Sequence, residues 1–391
     1  MKKRGVKISC GILAVLAVVY FCLPVYMQEA LIHWFPDISD TYIFPSERVE
    51  ATDSCWDFPL ATSYNTYRMT ETENDFMQKY GTVSYLVIRN DSVLYEEYRD
   101  GWTPQTLSNI FSATKSIVGL LTGIAQDEGY LHIDDPIGNY LPEFQSGAKK
   151  KITIRHLLTM SSGLNWDESY SSLKSKTTAA YYGDDIRSLV MDLEPIEEPG
   201  KRYSYKSGDT QLLSFVLEAA LQKGGNPMTI SQYAEEKLWQ PIQACNDALW
   251  NLDREGGDEK TYCCFNTTAR DLAHLARLIL HQGNWNGQQV ISAAYLSEAI
   301  SPASYLENEF GDGPLDYYGF QIWIVHYKGM SFPAFRGLGG QYVFALPQAN
   351  AIVVRLGHKR SNEYLRENTT DIFPYLDIAF NILGYPWSEA Q

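Results

Sequence analysis

Two strand–turn–strand patterns, far apart in the chain, constrain its fold more than any other feature. Residues 84–99 (SYLVIRNDSVLYEEYR) alternate apolar and polar on both sides of Asn90-Asp91, the signature of a β-hairpin with a tight turn. Residues 341–357 (QYVFALPQANAIVVRLG) repeat the pattern around Pro347 to Asn350. Between them the periodicity is helical. Residues 112–127 place Ile117, Val118, Leu120, Leu121 and Ile124 at helical spacing, with Gly129 as the stop. Residues 153–160 and 209–222 also read as helices, and Thr268 with Asp271 resembles a capping box opening a helix that runs to about His281. A last helix is expected within 370–383, with Pro374 arguing for a late start. Strands from both ends and helices between them predict an α+β fold. One antiparallel sheet is built from both termini and flanked by helices, with a helical subdomain inserted at roughly 112–300.

The amino terminus adds a separate expectation. Ile8 to Met27 is a 20-residue stretch without a charge, preceded by Lys2, Lys3, Arg4 and Lys7 and followed by Glu29. Its length suits one helix across a bilayer core of about 30 Å. The basic cluster stays on the cytoplasmic side, which places residues 30–391 outside. Residues 24–34 offer no small-x-small cleavage site, so an uncleaved anchor over residues 1–29 is favoured over secretion after signal cleavage. The expected location is the cell membrane, single-pass. Cys55, Cys245, Cys263 and Cys264 then lie where disulfides form, and the sequence leaves open both their pairing and a free-thiol state. The net charge is −15 although four basic residues sit in the first seven. So acidic a body repels nucleic acid, and no nucleic-acid partner is expected. No linker divides residues 30–391, which read as one domain, and oligomeric state is left open.

Three short motifs carry chemistry. In Phe111-Ser112-Ala113-Thr114-Lys115, serine and lysine lie one helical turn apart on one face. A serine needs a base beside its hydroxyl, and a lysine serves when burial disfavours its ammonium. The spacing alone is weak. It recurs at Ser146/Lys149 and Ser171/Lys174, but in polar surroundings that lead into no buried helix. The second motif is Tyr205-Lys206-Ser207 at the start of an apolar helix. A phenol near an ammonium has a lowered pKa and can act as base or proton relay. The third is Phe335-Arg336-Gly337-Leu338-Gly339-Gly340, where glycines admit a ligand to a strand edge and a backbone amide can stabilise an oxyanion.

In this order the motifs resemble those of the penicillin-recognising serine hydrolases, which include class C β-lactamases, D-alanyl-D-alanine carboxypeptidases and related esterases. The likeness is to the 6-aminohexanoate-dimer hydrolase and esterase branch in particular. It covers roughly residues 80–360, including FSATKSIVGLLTGIAQDEGYLHIDDPIGNYLPEF (111–144), PGKRYSYKSGDTQLLSFVLE (199–218) and FRGLGGQYVFALPQANAIVVRLG (335–357). It implies a β-lactamase/DD-peptidase-like fold and a small ester, amide or peptide-like substrate. It implies Ser112 as acylated nucleophile, Lys115 as its partner and Tyr205 as proton relay. The amides of Ser112 and Leu338 are then the oxyanion hole, with Ser207, Phe335 and Gly337 at the family's substrate-facing positions. Beside the resemblance, Arg336 is a candidate to bind a substrate carboxylate, and Tyr170, just after Trp166-Asp167-Glu168, a candidate to line the site. Two positions depart from the β-lactamase pattern: Phe335 replaces a lysine or histidine, and Ser207 an asparagine. Both weaken a β-lactam reading without removing the hydrolytic core. No Gly-x-Ser-x-Gly elbow and no His-Glu-x-x-His pattern occurs, so neither an α/β-hydrolase, a metal nor a cofactor is expected.

Overall fold

The computed structural model describes residues 15–385. Both hairpins form where their alternation placed them. In the first, Thr82–Arg89 pairs with Ser92–Tyr98, and Asn90 and Asp91 take the left-handed backbone (φ 50° and 56°) that a two-residue turn needs. In the second, Gln341–Leu346 pairs with Ala351–Gly357 through a 3-10 turn at Pro347–Ala349. The hairpins join each other, Val87 lying opposite Val353. Met330–Gly337 and Trp323–Tyr327 extend the sheet to six antiparallel strands, in the order Ser92–Tyr98, Thr82–Arg89, Ala351–Gly357, Gln341–Leu346, Met330–Gly337, Trp323–Tyr327. Chain ends thus meet in one sheet, and everything from about 100 to 320 is inserted between its strands.

Each face of the sheet is covered. Helices Glu71–Lys79 and Ile372–Leu383 pack on one, burying Tyr85, Val87, Phe344, Leu376 and Phe380. Pro374 stands in the first turn of its helix, where its missing amide leaves no hydrogen bond broken. The other face meets Ala269–Leu280 and the larger core, which contains Thr114–Asp127 and Ser207–Lys223. The predicted capping box at Thr268 is half formed. The Thr268 hydroxyl accepts from the Asp271 amide, but the Asp271 carboxylate turns to the amides of Cys245 and Asn246.

A second, four-stranded sheet runs in the order Ser46–Val49, Ala248–Asn251, Phe265–Thr267, Ser108–Asn109. Its strands are two to four residues long, too short for alternation to show in sequence. It matters for position, because the Ile110 amide donates to the Phe265 carbonyl just ahead of Ser112. Cysteines pair as Cys55–Cys245 and as the neighbours Cys263–Cys264.

The apolar amino-terminal stretch is not one straight helix. Residues 8–14 of it lie outside the described residues. The rest forms Val15–Cys22 and Val25–His33, bent by 120°. Pro24 supplies no amide to a helix and pushes Leu23 out of the helical region, which breaks the run that length and hydropathy predicted. Among the described residues no single helix is long and apolar enough to cross a membrane; the bent pair passes that test only together. Val25–His33 also overruns the expected boundary at residue 29, and it packs against Lys176–Tyr182.

Candidate active site

Ser112 sits in a 3-10 turn, Phe111–Ala113, that leads directly into helix Thr114–Asp127. Phe111 is buried with φ +46°, a left-handed backbone that a bulky residue adopts only under constraint. The constraint is local: its amide donates to the Asn109 side chain at 2.9 Å. The kink lifts the Ser112 hydroxyl to the floor of a cleft at the amino end of the helix, where the dipole favours developing negative charge.

Lys115 follows one turn later and is only 1% exposed. Its Nζ lies 3.0 Å from Ser112 Oγ and donates to the Tyr262 carbonyl at 2.6 Å, with the rings of Tyr205 and Tyr262 centred 5.1 and 5.5 Å away. Burial pushes its pKa down to about 8, against a smaller upward pull from Glu168. A neutral amine beside a hydroxyl is a base in place.

Tyr205 corrects one expectation. Its pKa is raised, not lowered: burial and the charge of Glu168 outweigh a hydrogen bond with Ser112 and the more distant Arg336 and Arg360. The phenol therefore keeps its proton at neutral pH. That suits it to passing a proton rather than taking the first one.

The third motif reaches the cleft through its backbone. A side chain at Gly337 would stand 2.2 Å from the Ile110 carbonyl, so only glycine lets this strand edge lie against the turn bearing Ser112. Leu338, Gly339 and Gly340 close the hairpin, with Gly339 and Gly340 at φ +72° and +84°. Gln341 and Arg355 fasten this loop. The Gln341 amide donates to the Leu338 carbonyl at 2.8 Å and to the Gly357 carbonyl at 2.7 Å. The fully buried Arg355 donates to the carbonyls of Gly339, Gly340, Tyr80 and Lys359 and to the Thr82 hydroxyl.

The remaining expected contacts divide. Phe335 does not reach the cleft. It alternates to the opposite side of its strand from Arg336, is 2% exposed and belongs to the main core. Arg336 does line the cleft, its guanidinium 4.2 Å from the Trp323 ring centre and donating to Asn368 and the Glu367 carbonyl. Ser207 borders the cleft, but its hydroxyl is already committed to Glu168 at 2.7 Å. Tyr170 lines the cleft as expected and donates to the same carboxylate. Neither of the other Ser-x-x-Lys copies makes such a pair: Ser146 and Lys174 are exposed, Ser171 is exposed on the lining of the cleft, and Lys149 pairs with Glu194 at 2.9 Å.

Sequence reading passed over Glu168. Its carboxylate accepts from Trp166 Nε1 and from the amide and hydroxyl of Ser207, each at 2.7 Å, as well as from Tyr170. It thereby ties the cleft wall to the amino end of the helix that follows Tyr205. Only its place in the Trp166-Asp167-Glu168 segment hinted at this. Tyr262, whose contribution is a carbonyl, left no side-chain signal at all.

The cleft has two halves that meet at Ser112 and Leu338. One, of about 400 Å³, has no charged residue in its lining; the other, of about 360 Å³, contains Tyr205, Trp323, Arg336 and Arg360 with Glu168, Glu309 and Glu367.

Known proteins share this architecture. A 6-aminohexanoate-dimer hydrolase of Paenarthrobacter ureafaciens is 25% identical over 299 residues, which are 70% of this chain and 72% of that protein. An Escherichia coli (strain K12) protein assigned as a D-alanyl-D-alanine carboxypeptidase is 27% identical over 218 residues, 47% of this chain and 48% of its own length. Among solved structures, a Bacillus anthracis protein assigned as a 6-aminohexanoate-dimer hydrolase superposes with TM-score 0.75 at 18% identity, covering 92% of this chain and 97% of that one. A family VIII carboxylesterase superposes with TM-score 0.64 at 16% identity, covering 83% and 98%. The structural likenesses carry the fold. Residues 69–376, which hold both hairpins, the Ser112 turn and the whole inserted block, match the Beta-lactamase family, and the chain belongs to it.

Proposed function

We propose that the protein hydrolyses an ester or amide through an acyl-enzyme on Ser112. One observation carries the reading: Lys115 Nζ lies 3.0 Å from Ser112 Oγ, in an environment that brings its pKa down to about 8. The neutral amine takes the Ser112 proton as Oγ attacks the substrate carbonyl. The amides of Ser112 and Leu338 receive the oxyanion. Tyr205 passes the proton to the leaving alcohol or amine as the carbonyl bond to it breaks. Water then attacks the acyl-enzyme, releasing the acid and returning the proton to Ser112.

Glu168 and Tyr170 hold the cleft wall in this scheme, and Arg336 and Arg360 bring guanidinium groups to its polar half among the carboxylates of Glu168, Glu309 and Glu367. Those guanidinium groups favour a second reading, a D-alanyl peptidase or β-lactamase acting on a carboxylate-bearing substrate. The burial of Phe335 speaks against it, since the position that bears a lysine or histidine in β-lactamases contributes nothing to the cleft here. We further place the catalytic body outside a membrane, anchored through the part of the 8–27 stretch that precedes Pro24, since Val25–His33 packs on the body. The basic cluster ahead of that stretch and the Cys55–Cys245 disulfide support this.

The test is intact mass after exposure to a fluorophosphonate. One adduct is expected on the wild type, none on Ser112→Ala, and a slower one on Lys115→Ala. No adduct on folded wild type would leave a protein that binds ligands in this cleft without cleaving them.

A further inference from the structure

The uncharged half of the cleft is built in part by the amino-terminal helix and the strap after it. Ala30 and Leu31 of the helix Val25–His33, with Trp34 and Phe35 beyond it, line the cavity together with Tyr181 and Tyr182. The helix is seated: Ala30 is buried, Tyr26 joins the core, and the His33 ring stacks on Tyr182 with centres 6.1 Å apart. Trp34 turns the chain with φ +64°, and the strap is pinned at its far end. There the Asp37 carboxylate meets His358 Nδ1 at 2.8 Å, and the Ile38 carbonyl accepts from the Asn109 amide at 3.1 Å. The hydrogen bond with His358 holds the Asp37 pKa at about 2, so the pin is charged on the carboxylate side across the working pH range.

This wall stays apolar out to solvent. Trp34 is 80% exposed and Leu31 39%, and the preceding helix Val15–Cys22 exposes Val15, Leu16, Val18, Val19 and Phe21. Leu31, Trp34 and Phe35 carry the lining of the cavity, which Ser112 also lines, out to solvent, and an apolar patch joined to a cavity in this way marks an interaction site. A cavity of about 400 Å³ is within the size range of ligand pockets. The direction of the substrate follows from Tyr205. The proton relay must stand beside the leaving group, and Tyr205 lines the polar half only. The acyl group is left with the uncharged half.

Resting on the hydrolase reading above, we propose that the substrate is an ester or amide of a medium-length apolar acyl chain. The chain lies between the amino-terminal helix with its strap and Tyr181–Tyr182, while a polar or charged leaving group sits among Tyr205, Arg336 and Arg360. The amino-terminal segment is then a specificity element of the active site as well as an anchor.

Full-length protein in phosphatidylcholine nanodiscs is assayed on p-nitrophenyl acetate, butyrate and octanoate. Each methylene entering the cavity raises kcat/KM up to about fourfold, the equivalent of ~0.8 kcal/mol per buried CH₂. Octanoate is therefore expected to exceed acetate by at least roughly tenfold. Leu31→Glu puts a charge in the path of the chain and lowers the octanoate-to-acetate ratio about tenfold; Leu31→Met restores it. A flat profile in wild type that still takes a fluorophosphonate on Ser112 overturns the acyl pocket and leaves the hydrolase reading intact. So does a ratio unmoved by Leu31→Glu in a variant that still labels. Absence of the adduct in folded wild type overturns both. Adding 1,2-dioctanoylglycerol to the discs separates the two sources of such a chain. Release of glycerol species means delivery from the bilayer, turnover of the dissolved ester alone means delivery from solution, and both support the pocket.

Discussion

Lys115 is held by three kinds of neighbour: a serine hydroxyl, a backbone carbonyl and two aromatic faces. Each tolerates an ammonium without neutralising it, so burial decides the balance and the pKa falls to about 8. The sign for activity is definite. The base is the free amine, so the rate of Ser112 acylation rises as pH climbs through about 8 and levels off above it. Glu168 pulls in the opposite direction to burial, and replacing its carboxylate removes that pull. Glu168→Gln is therefore expected to move the inflection to lower pH while weakening the Ser207 and Tyr170 contacts. A pH profile of fluorophosphonate labelling reads it. An inflection that stays in place would mean Glu168 acts on the cleft wall alone. Sequence made Ser112 and Lys115 legible because a one-turn spacing ahead of an apolar helix is local information. It misjudged Tyr205, whose proton affinity is raised by burial first and by Glu168 second, neither of which is a property of residues near position 205.

At the scale of elements, the hairpin loop Leu338–Gly340 depends on a residue seventeen positions beyond Leu338. Arg355 is fully buried and spends its donors on carbonyls, two of them in this loop, with the Tyr375 ring 4.9 Å from its guanidinium. A lysine cannot reproduce that fork of donors. Arg355→Lys leaves loop carbonyls without partners in a buried place, at a cost of about 2 kcal/mol in stability. It also loosens the loop that carries the Leu338 amide, one of the two proposed oxyanion donors. A loss of about tenfold in turnover is expected if one oxyanion donor is weakened rather than removed. The check is thermal unfolding beside kcat on an acetate ester: full turnover in a destabilised variant would show that the loop holds its shape through Gln341 alone. Elements with a clear period were legible from sequence: both hairpins, and the helices beginning near 112, 154, 207 and 269. Strands of two to four residues were not, because so few positions carry no period. Phe335 was misplaced for a related reason. Adjacent residues on a strand face opposite ways, and the motif match did not say which face turned to the cleft.

At the scale of the molecule, the chain closes on itself in two ways, of which local patterns record only the first. The sheet joins residues 82–98 to 323–357, which alternation anticipated. The amino-terminal segment is fastened separately, through the Asp37–His358 contact and the Cys55–Cys245 bond, which spans 190 positions. Cysteine pairing is a property of the folded chain, and four cysteines with three possible pairings could not be resolved before it. Neither Cys55 nor Cys245 lines the cleft, so the bond should act on stability and not on chemistry. Cys55→Ser together with Cys245→Ser is expected to cost about 2–4 kcal/mol, chiefly by restoring freedom to the unfolded chain. The pair is replaced genetically because a reductant would also open Cys263–Cys264, which borders the apolar half of the cleft. Denaturant unfolding should show a lower midpoint with the double variant, while fluorophosphonate labelling at 25 °C proceeds within about twofold of wild type. A labelling rate that falls along with the midpoint would mean that tension from residue 55 reaches the strap over the cleft. The amino-terminal segment would then tune the active site through its attachment as well as through the side chains it places there.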